Sequence, residues 1–266
     1  MLTRCFVQLV LAFVFVGLIA SCVGNFNDDV PLIFAAASLS DVLTESAKIY
    51  ERETGKRVEF SFGGSITLAN QIAKLGAPAD GVLFAGDGPA QLITEAGLGD
   101  FYNAPQLIST DLVVIGGNDG PFISSLTDLA NQGKRVAIGD PELAPAGRYA
   151  MRALELAGVS DAISDQLIFT VDVRAASAAV ESGNAQYGIV YRTDAITSDT
   201  LKIVLEIDTN VVQISYFATG ITGAKHSREA QTFLNYVVLE PETRRVFESA
   251  GFDLIPRNLG LGSPSG

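Results

Sequence analysis

Phe34-Ala-Ala-Ala-Ser-Leu-Ser-Asp41 is the stretch on which the reading of this chain turns. Leu32, Ile33 and Phe34 read as the end of a buried strand, and three alanines follow with nothing bulky to block close approach. Ser38 then stands where a helix begins, because Leu39, Val42, Leu43, Ala47 and Tyr50 fall near helical spacing. A strand that ends in small residues and enters a helix leaves free backbone N–H groups and a positive dipole end at one point. Such a point favours an anion. A plainer reading makes Ser38 or Ser40 an N-cap, with Asp41 as first-turn charge. Taken alone, the stretch favours that plainer reading by about two to one, since such caps are common.

The same device recurs along the chain. Arg57-Val-Glu-Phe-Ser-Phe62 alternates with period two and reads as a strand; Gly63, Gly64 and Ser65 follow, then a helix through Leu68, Ile72 and Leu75. Arg135-Val-Ala-Ile138 is a buried strand that runs into Gly139-Asp-Pro-Glu-Leu-Ala-Pro-Ala-Gly147. There Pro145 suits the first turn of a helix continuing through Tyr149, Ala153 and Leu156. A strand over 166–171 leads to Asp172-Val-Arg174 and a small-residue helix over 175–180, and Tyr187-Gly-Ile-Val-Tyr191 is one more buried strand. Further strands are expected over 81–84, 111–115, 201–205 and 211–218, and further helices over 89–96, 125–130, 230–238 and 242–250. This alternation predicts an α/β protein with largely parallel sheets.

The bulk properties narrow the function. A chain of 266 residues with 48% hydrophobic and 18% charged residues folds around real cores. Its formal net charge of −12 argues against a nucleic-acid partner, which needs a basic footprint. The same acidity means that any bound anion is held by local dipoles rather than by bulk attraction.

The N-terminus is a separate object. Arg4 is the only charge before Asp28, and residues 6–20 are almost wholly apolar, broken by Gln8. That run is short for a membrane span, which takes about 20 residues, and matches the apolar core of a secretory signal. It ends in Leu18-Ile-Ala-Ser-Cys22, which resembles the lipobox of bacterial lipoproteins. The resemblance implies cleavage before Cys22 and lipidation of that cysteine; an ordinary signal cut near the same place is the rival reading. Cys5 would leave with the signal, so no thiol remains for a disulfide, a metal site or a nucleophile.

Catalysis finds little support. His226 is the single histidine, and no Gly-x-Ser-x-Gly elbow occurs. The phosphate-loop lysine motif and the dinucleotide glycine fingerprint are both absent, as is any His/Cys metal cluster. Asp41, Asp80 and Glu142 are read most simply as caps and solvated faces. What recurs instead is a neutral anion cradle. Ser38, Ser65 and Ala146 each sit where a strand gives way to a helix N-terminus; Val173 can do the same, and Tyr191 can add a phenolic donor. Hydrogen bonds to a charged partner contribute roughly 1.5–3 kcal/mol each. Five to seven of them would give about −8 to −12 kcal/mol after association costs, which is micromolar to nanomolar affinity.

Several segments together resemble the molybdate-binding proteins of bacterial ABC importers. They are Ala35-Ala-Ala-Ser-Leu-Ser-Asp41, Phe62-Gly-Gly-Ser65 with Leu68, Ala69, Gln71 and Ile72, Gly76-Ala-Pro-Ala-Asp80, the 139–147 segment with Tyr149, Asp172-Val-Arg174, and Gly188-Ile-Val-Tyr191 with Asp194. The resemblance implies a two-lobed periplasmic-binding-protein fold, each lobe a mostly parallel sheet flanked by helices, with two chain crossovers. It implies a signal peptide over 1–21, a lipid-anchored tether over 22–29, a first lobe from 30–110 and 214–256, a second lobe over 111–213, and a flexible tail over 257–266. It implies a molybdate site, open to tungstate too, made by Ser38 and Ser65 of the first lobe with Ala146, Val173 and Tyr191 of the second. The protein would be a monomeric, non-enzymatic receptor without a cofactor or cation site. Anchored outside the cell membrane, it would deliver the oxyanion to an ABC permease.

The chain departs from the family pattern at Ile66, where a small residue is usual, and at Gly81-Val-Leu-Phe84, which is one residue longer than usual. Both leave ligand choice open, so the same scaffold binding sulfate, phosphate or a small organic acid stays in play. A secreted hydrolase using Ser38 or Ser65 with His226, and a sensory or adhesive lipoprotein, complete the set of functions the sequence leaves open.

Overall fold

The computed structural model describes residues 29–101, 108–117, 121–208 and 214–254. The expected signal segment, Cys22, nearly all of the tether and the tail over 257–266 lie outside those residues, as do the first three positions of the strand expected over 211–218.

The chain opens with β1 (Leu32–Ala36), buried along its whole length. Successive side chains of a strand face opposite ways. Ile33 and Ala35 accordingly enter one hydrophobic cluster, while Leu32 and Phe34 enter another. A 3₁₀ turn over Ala37–Leu39 leads into α1 (Ser40–Thr54), which buries Val42, Leu43, Ser46, Ile49 and Tyr50 on one face. Gly55 stops α1 at φ 70°, a left-handed conformation that glycine takes without a Cβ clash. Next come β2 (Glu59–Gly63), α2 (Ser65–Leu75), β3 (Gly81–Ala85), α3 (Asp87–Glu95) and the short β4 (Ile108–Thr110). The chain then builds β5 (Leu112–Gly117), α4 (Leu126–Asn131), β6 (Val136–Gly139), α5 (Pro145–Leu156), α6 (Ser160–Ile163), β7 (Leu167–Thr170), α7 (Val173–Glu181), β8 (Tyr187–Tyr191), α8 (Arg192–Ile196) and β9 (Leu201–Glu206). It closes with β10 (Ile214–Gly220), α9 (Ser227–Leu239), α10 (Pro241–Ser249) and β11 (Asp253–Leu254).

These strands form two sheets, ordered β11-β4-β10-β3-β1-β2 and β7-β6-β8-β5-β9. The chain leaves the first sheet between Thr110 and Leu112 and returns to it between Glu206 and Ile214, so it crosses twice. The result is the two-lobed binding-protein fold, with helices flanking each sheet.

The parallel character is more concentrated than the sequence pattern suggests. In the first sheet only β2, β1 and β3 run parallel; β10 and β4 are antiparallel to their neighbours. In the second, β7, β6 and β8 are parallel, and β5 is antiparallel to both β8 and β9. Helical crossovers impose parallel pairing inside each trio. β5 and β10 have no such crossover before them: each begins just after the chain has passed between sheets.

Each trio has the same wiring. From β1 the chain moves to β2 on one side and then to β3 on the other; from β6 it moves to β7 and then to β8. The order therefore reverses beside the carboxyl ends of β1 and β6, which is where open α/β sheets hold ligands.

Asp80, which the sequence presents as a cap or a solvated charge, is a structural tie. Its Oδ2 accepts the Leu32 N–H at 2.9 Å and its Oδ1 accepts the His226 N–H at 2.9 Å, joining the start of β1 to the loop before α9. Among the described residues no helix is long and apolar enough to cross a membrane. Replacing Asp80 by Ala leaves two partly buried donors unmatched, so Asp80→Ala should lower unfolding free energy by about 2 kcal/mol. Urea denaturation checks this, and a change within experimental error would reduce Asp80 to a surface charge.

Candidate functional site

Between the two reversal points lies a small cavity with an accessible volume of ≈ 10 Å³. Every one of the five residues singled out in the sequence borders it: Ser38, Ser65, Ala146, Val173 and Tyr191. Each sits at or just beyond the carboxyl end of a strand in one of the parallel trios, which is why the wiring brings them together. Ala85, at the end of β3, completes the pattern and carries no sequence signal of its own.

The backbone supplies donors. The first N–H groups of a helix have no acceptor within the helix. Ser65 opens α2 and Val173 opens α7. In α5 the first residue is Pro145, which has no N–H, so the first available donor belongs to Ala146. Asp172 caps α7 by accepting the Ala175 N–H at 2.9 Å, leaving the Val173 N–H for the cavity.

Neither serine is a cap. No side-chain capping bond forms at the start of the 3₁₀ turn, of α1 or of α2. Ser38 Oγ instead lies 2.9 Å from the hydroxyl of Tyr216 on β10, and Ser65 Oγ accepts the Ala85 N–H at 3.1 Å. Both serines are buried, and the Tyr191 hydroxyl, also buried, has no hydrogen-bond partner in the protein. Burial pushes the Tyr191 phenol well above its usual range, helped by Tyr216, Tyr149 and Asp194. Burial and then the charge of Asp87 raise Tyr149 to about 12. These hydroxyls all keep their protons at neutral pH and remain donors.

Ile66 does not crowd the cradle. Ile66 is 4% exposed and does not border the cavity. The longer strand β3 likewise leaves the cavity open and delivers Ala85 to its wall.

The lobes meet around this space. The Thr67 N–H donates to the Leu143 carbonyl across the gap at 3.1 Å. A Cβ at Gly64 would lie 2.5 Å from that same carbonyl oxygen and 3.0 Å from that of Val171, so only glycine permits the approach. Arg174 adds an electrostatic clasp, its Nη2 donating to Asp41 Oδ2 at 2.6 Å and reaching the Ser38 carbonyl at 3.5 Å. Its Nε lies 3.1 Å from Asp194 Oδ1, an ion pair in which the N–H is not aligned on the oxygen. Arg174 and Asp194 both stand outside the lining, so the cavity holds no cationic side chain. Among the described residues no group of three or more His, Cys, Asp or Glu side chains is placed to hold a metal ion.

This geometry is that of a two-lobed fold with a small cavity, edged by helix N-termini and hydroxyls, between its lobes. Comparison with known proteins extends the assignment. The chain matches the bacterial extracellular solute-binding proteins over residues 31–253, and it belongs to that family. It is 33% identical to the molybdate-binding protein ModA of Haemophilus influenzae over 231 residues, covering 83% of this chain and 88% of that protein. Its fold is similar to the periplasmic molybdate-binding protein of Azotobacter vinelandii, with a TM-score of 0.75 at 21% identity, covering 85% of this chain and 100% of that one. It is similar also to the sulfate-binding protein SubI of Mycobacterium tuberculosis, with a TM-score of 0.73 at 18% identity, covering 85% and 87% of the two chains. The protein is a solute-binding component and not an enzyme.

Asp194 gives the site a measurable electrostatic signature. Burial raises its carboxyl to about 7; Arg174 and the Tyr191 N–H, which its Oδ2 accepts at 3.2 Å, pull it down, and Asp172 and Asp41 push it up. The folded protein thus keeps a proton that the unfolded chain, with a carboxyl near 3.8, gives up. The stabilising contribution is complete below pH ~4 and is lost as pH rises through ~7. Asp194→Asn keeps an acceptor for the Tyr191 N–H and removes the titration. Over this range the wild type should lose on the order of 2–4 kcal/mol relative to Asp194→Asn. Melting both proteins across the range checks it; parallel pH curves would show that Asp194 stays charged throughout.

Proposed function

We propose that this chain is a lipid-anchored receptor that captures molybdate, and tungstate too, between its lobes and delivers it to an ABC permease. The observation that carries the reading is a small interlobe cavity lined by donors, with the Tyr191 hydroxyl left without a protein partner. Ser38, Ser65, Ala146, Val173 and Tyr191 would hold the anion through their N–H and O–H groups. The cavity's accessible volume of ≈ 10 Å³, about one water site, lies far below the roughly 300–1,000 Å³ of pockets for drug-sized organic ligands, which leaves room only for a compact ligand such as an oxyanion. The ModA relative points to molybdate among such anions.

In this reading the anion links donors of both lobes, so closure gains hydrogen bonds only when ligand is present. The closed form would dock on the permease as a monomer. Cys22 would carry the lipid that holds the receptor at the outer side of the cell membrane. Mass spectrometry of the native protein would detect that modification.

Sulfate is the second reading, favoured by a cavity of neutral donors that suits any small dianion. Isothermal titration of the unlipidated protein with molybdate, tungstate, sulfate and phosphate separates the two. Molybdate should bind most tightly; no heat with molybdate beside clear heat with sulfate would reassign the ligand.

The site residues have separate tests. Ser38→Ala removes a buried donor and should weaken molybdate binding by about 1–3 kcal/mol. Val173→Ala should change affinity little, because only the backbone N–H is used. Val173→Pro should abolish binding while the protein stays folded, since proline fits the first position of a helix and deletes the N–H. Unchanged affinity in Val173→Pro would remove α7 from the site.

A further inference from the structure

The two serines of the cavity are both held from behind. The Ala85 N–H, a group that can only donate, points at Ser65 Oγ from 3.1 Å. Ser65 must therefore accept there, and its own proton is left for the cavity. Ser38 is backed instead by a side chain far away in sequence: its Oγ lies 2.9 Å from the hydroxyl oxygen of Tyr216, 178 positions later, and both groups are buried. Two hydroxyls can share a hydrogen bond in either direction, so the geometry alone allows Ser38 to face the cavity as donor or as acceptor.

We propose that Tyr216 is a positioning residue that fixes Ser38 as a donor, and thereby raises the cavity's preference for oxyanions that carry no proton of their own. This rests on the reading of the cavity as an oxyanion site. A phenol gives up its proton more readily than an aliphatic hydroxyl does, so Tyr216 is the natural donor of the pair. It always has a proton to give, because burial drives its ionisation far above the usual range and Asp194 and Tyr149 push the same way. Once Tyr216 donates to Ser38 Oγ, the Ser38 proton turns to the cavity, and a chain of two aligned bonds polarises towards the anion. The arrangement copies with a side chain what Ala85 does for Ser65 with the backbone. The ring of Tyr216 is locked edge-on between Tyr191, at 6.3 Å, and Phe252, at 5.7 Å, so its oxygen cannot swing away.

The consequence is specificity. With Ser38 and Ser65 both presenting protons to the cavity, a hydrogenphosphate meets proton against proton at those two positions, and Tyr191 is the hydroxyl left free to turn. Asp172, the one carboxylate residue of the lining, is held by the Ala175 N–H at its Oδ1 and keeps Oδ2 as an acceptor with or without the Tyr216 hydroxyl, so a comparison of wild type with Tyr216→Phe isolates Ser38. Removing the Tyr216 hydroxyl frees Ser38 Oγ to accept, and the penalty on a protonated anion falls.

The test is a double-mutant cycle on the full-length protein. Wild type, Tyr216→Phe, Ser38→Ala and the double variant are titrated with molybdate and with phosphate, at a pH where phosphate is the hydrogenphosphate dianion. Phenylalanine keeps the ring contacts, and melting curves without ligand check the fold. Tyr216→Phe should weaken molybdate binding about 3- to 10-fold, the loss of one hydrogen bond. It should leave hydrogenphosphate unchanged or tighter, so the ratio of the two affinities falls. In the Ser38→Ala background the same change should have no further effect on molybdate. Equal weakening of both anions, full additivity with Ser38→Ala, or no effect of Tyr216→Phe in a wild type that binds molybdate would overturn the role of Tyr216. A wild type that binds no oxyanion would overturn the underlying site instead.

Discussion

Helix N-termini carry N–H groups that their own helices cannot satisfy, and this structure aims several of them at one buried point. An unmatched buried donor costs about 1–3 kcal/mol. Some of these groups find protein acceptors: the Thr67 N–H takes the Leu143 carbonyl of the opposite lobe, and the Ala175 N–H takes Asp172. Those of Ser65, Ala146 and Val173 sit at the cavity wall. The parallel trios exist to hold these ends in place. A trio places three carboxyl ends side by side within about 10 Å, since neighbouring strands are roughly 5 Å apart, and two facing trios surround a space from opposite sides. Neither lobe alone presents all the donors.

That division explains why contact between the lobes is so finely constrained. Gly64 lets the backbone of one lobe meet the carbonyls of Leu143 and Val171 on the other, at a separation no Cβ tolerates. Arg174 then spans the gap to Asp41 while its Nε also lies 3.1 Å from the buried Asp194. The Arg174–Asp41 pair is partly solvated, so its net contribution is small, of the order of 1 kcal/mol or less. It can bias closure without locking it, as a receptor that must release its cargo requires.

How much of this can be read from the chain depends on distance along it. Strand, small residues, helix is a local pattern, so Ser38, Ser65, Ala146, Val173 and Tyr191 can be picked out one by one, and the cavity borders on all five. The capping role open to Ser38 does not occur, because its hydroxyl is turned to Tyr216, and no local signal ties two residues that far apart. Ala85 escapes a sequence reading for a similar reason: it contributes through a main-chain N–H that any residue possesses. Ile66 is obstructive only if bulk is judged from the sequence alone; in the fold it is buried and does not border the cavity. The strands β4 and β11, of three and two residues, are too short to show any periodicity.

The overall charge makes the neutrality of the site intelligible. With a formal net charge of −12, the protein repels anions at long range, and salt around it screens that field beyond about 8–10 Å. A cationic side chain in the cavity would counter the repulsion, yet it would attract every anion alike and leave a costly buried charge whenever the ligand departed. Arg174 stands nearby but is committed to Asp41 and Asp194, so its charge is balanced before any ligand arrives. In the proposed reading, recognition would thereby pass from charge, which dianions share, to the count and direction of protons, which they do not. A cavity without a cationic side chain would then discriminate by size and by whether the anion has a proton of its own, and for that purpose the direction of the Ser38 hydroxyl would carry more information than an ion pair.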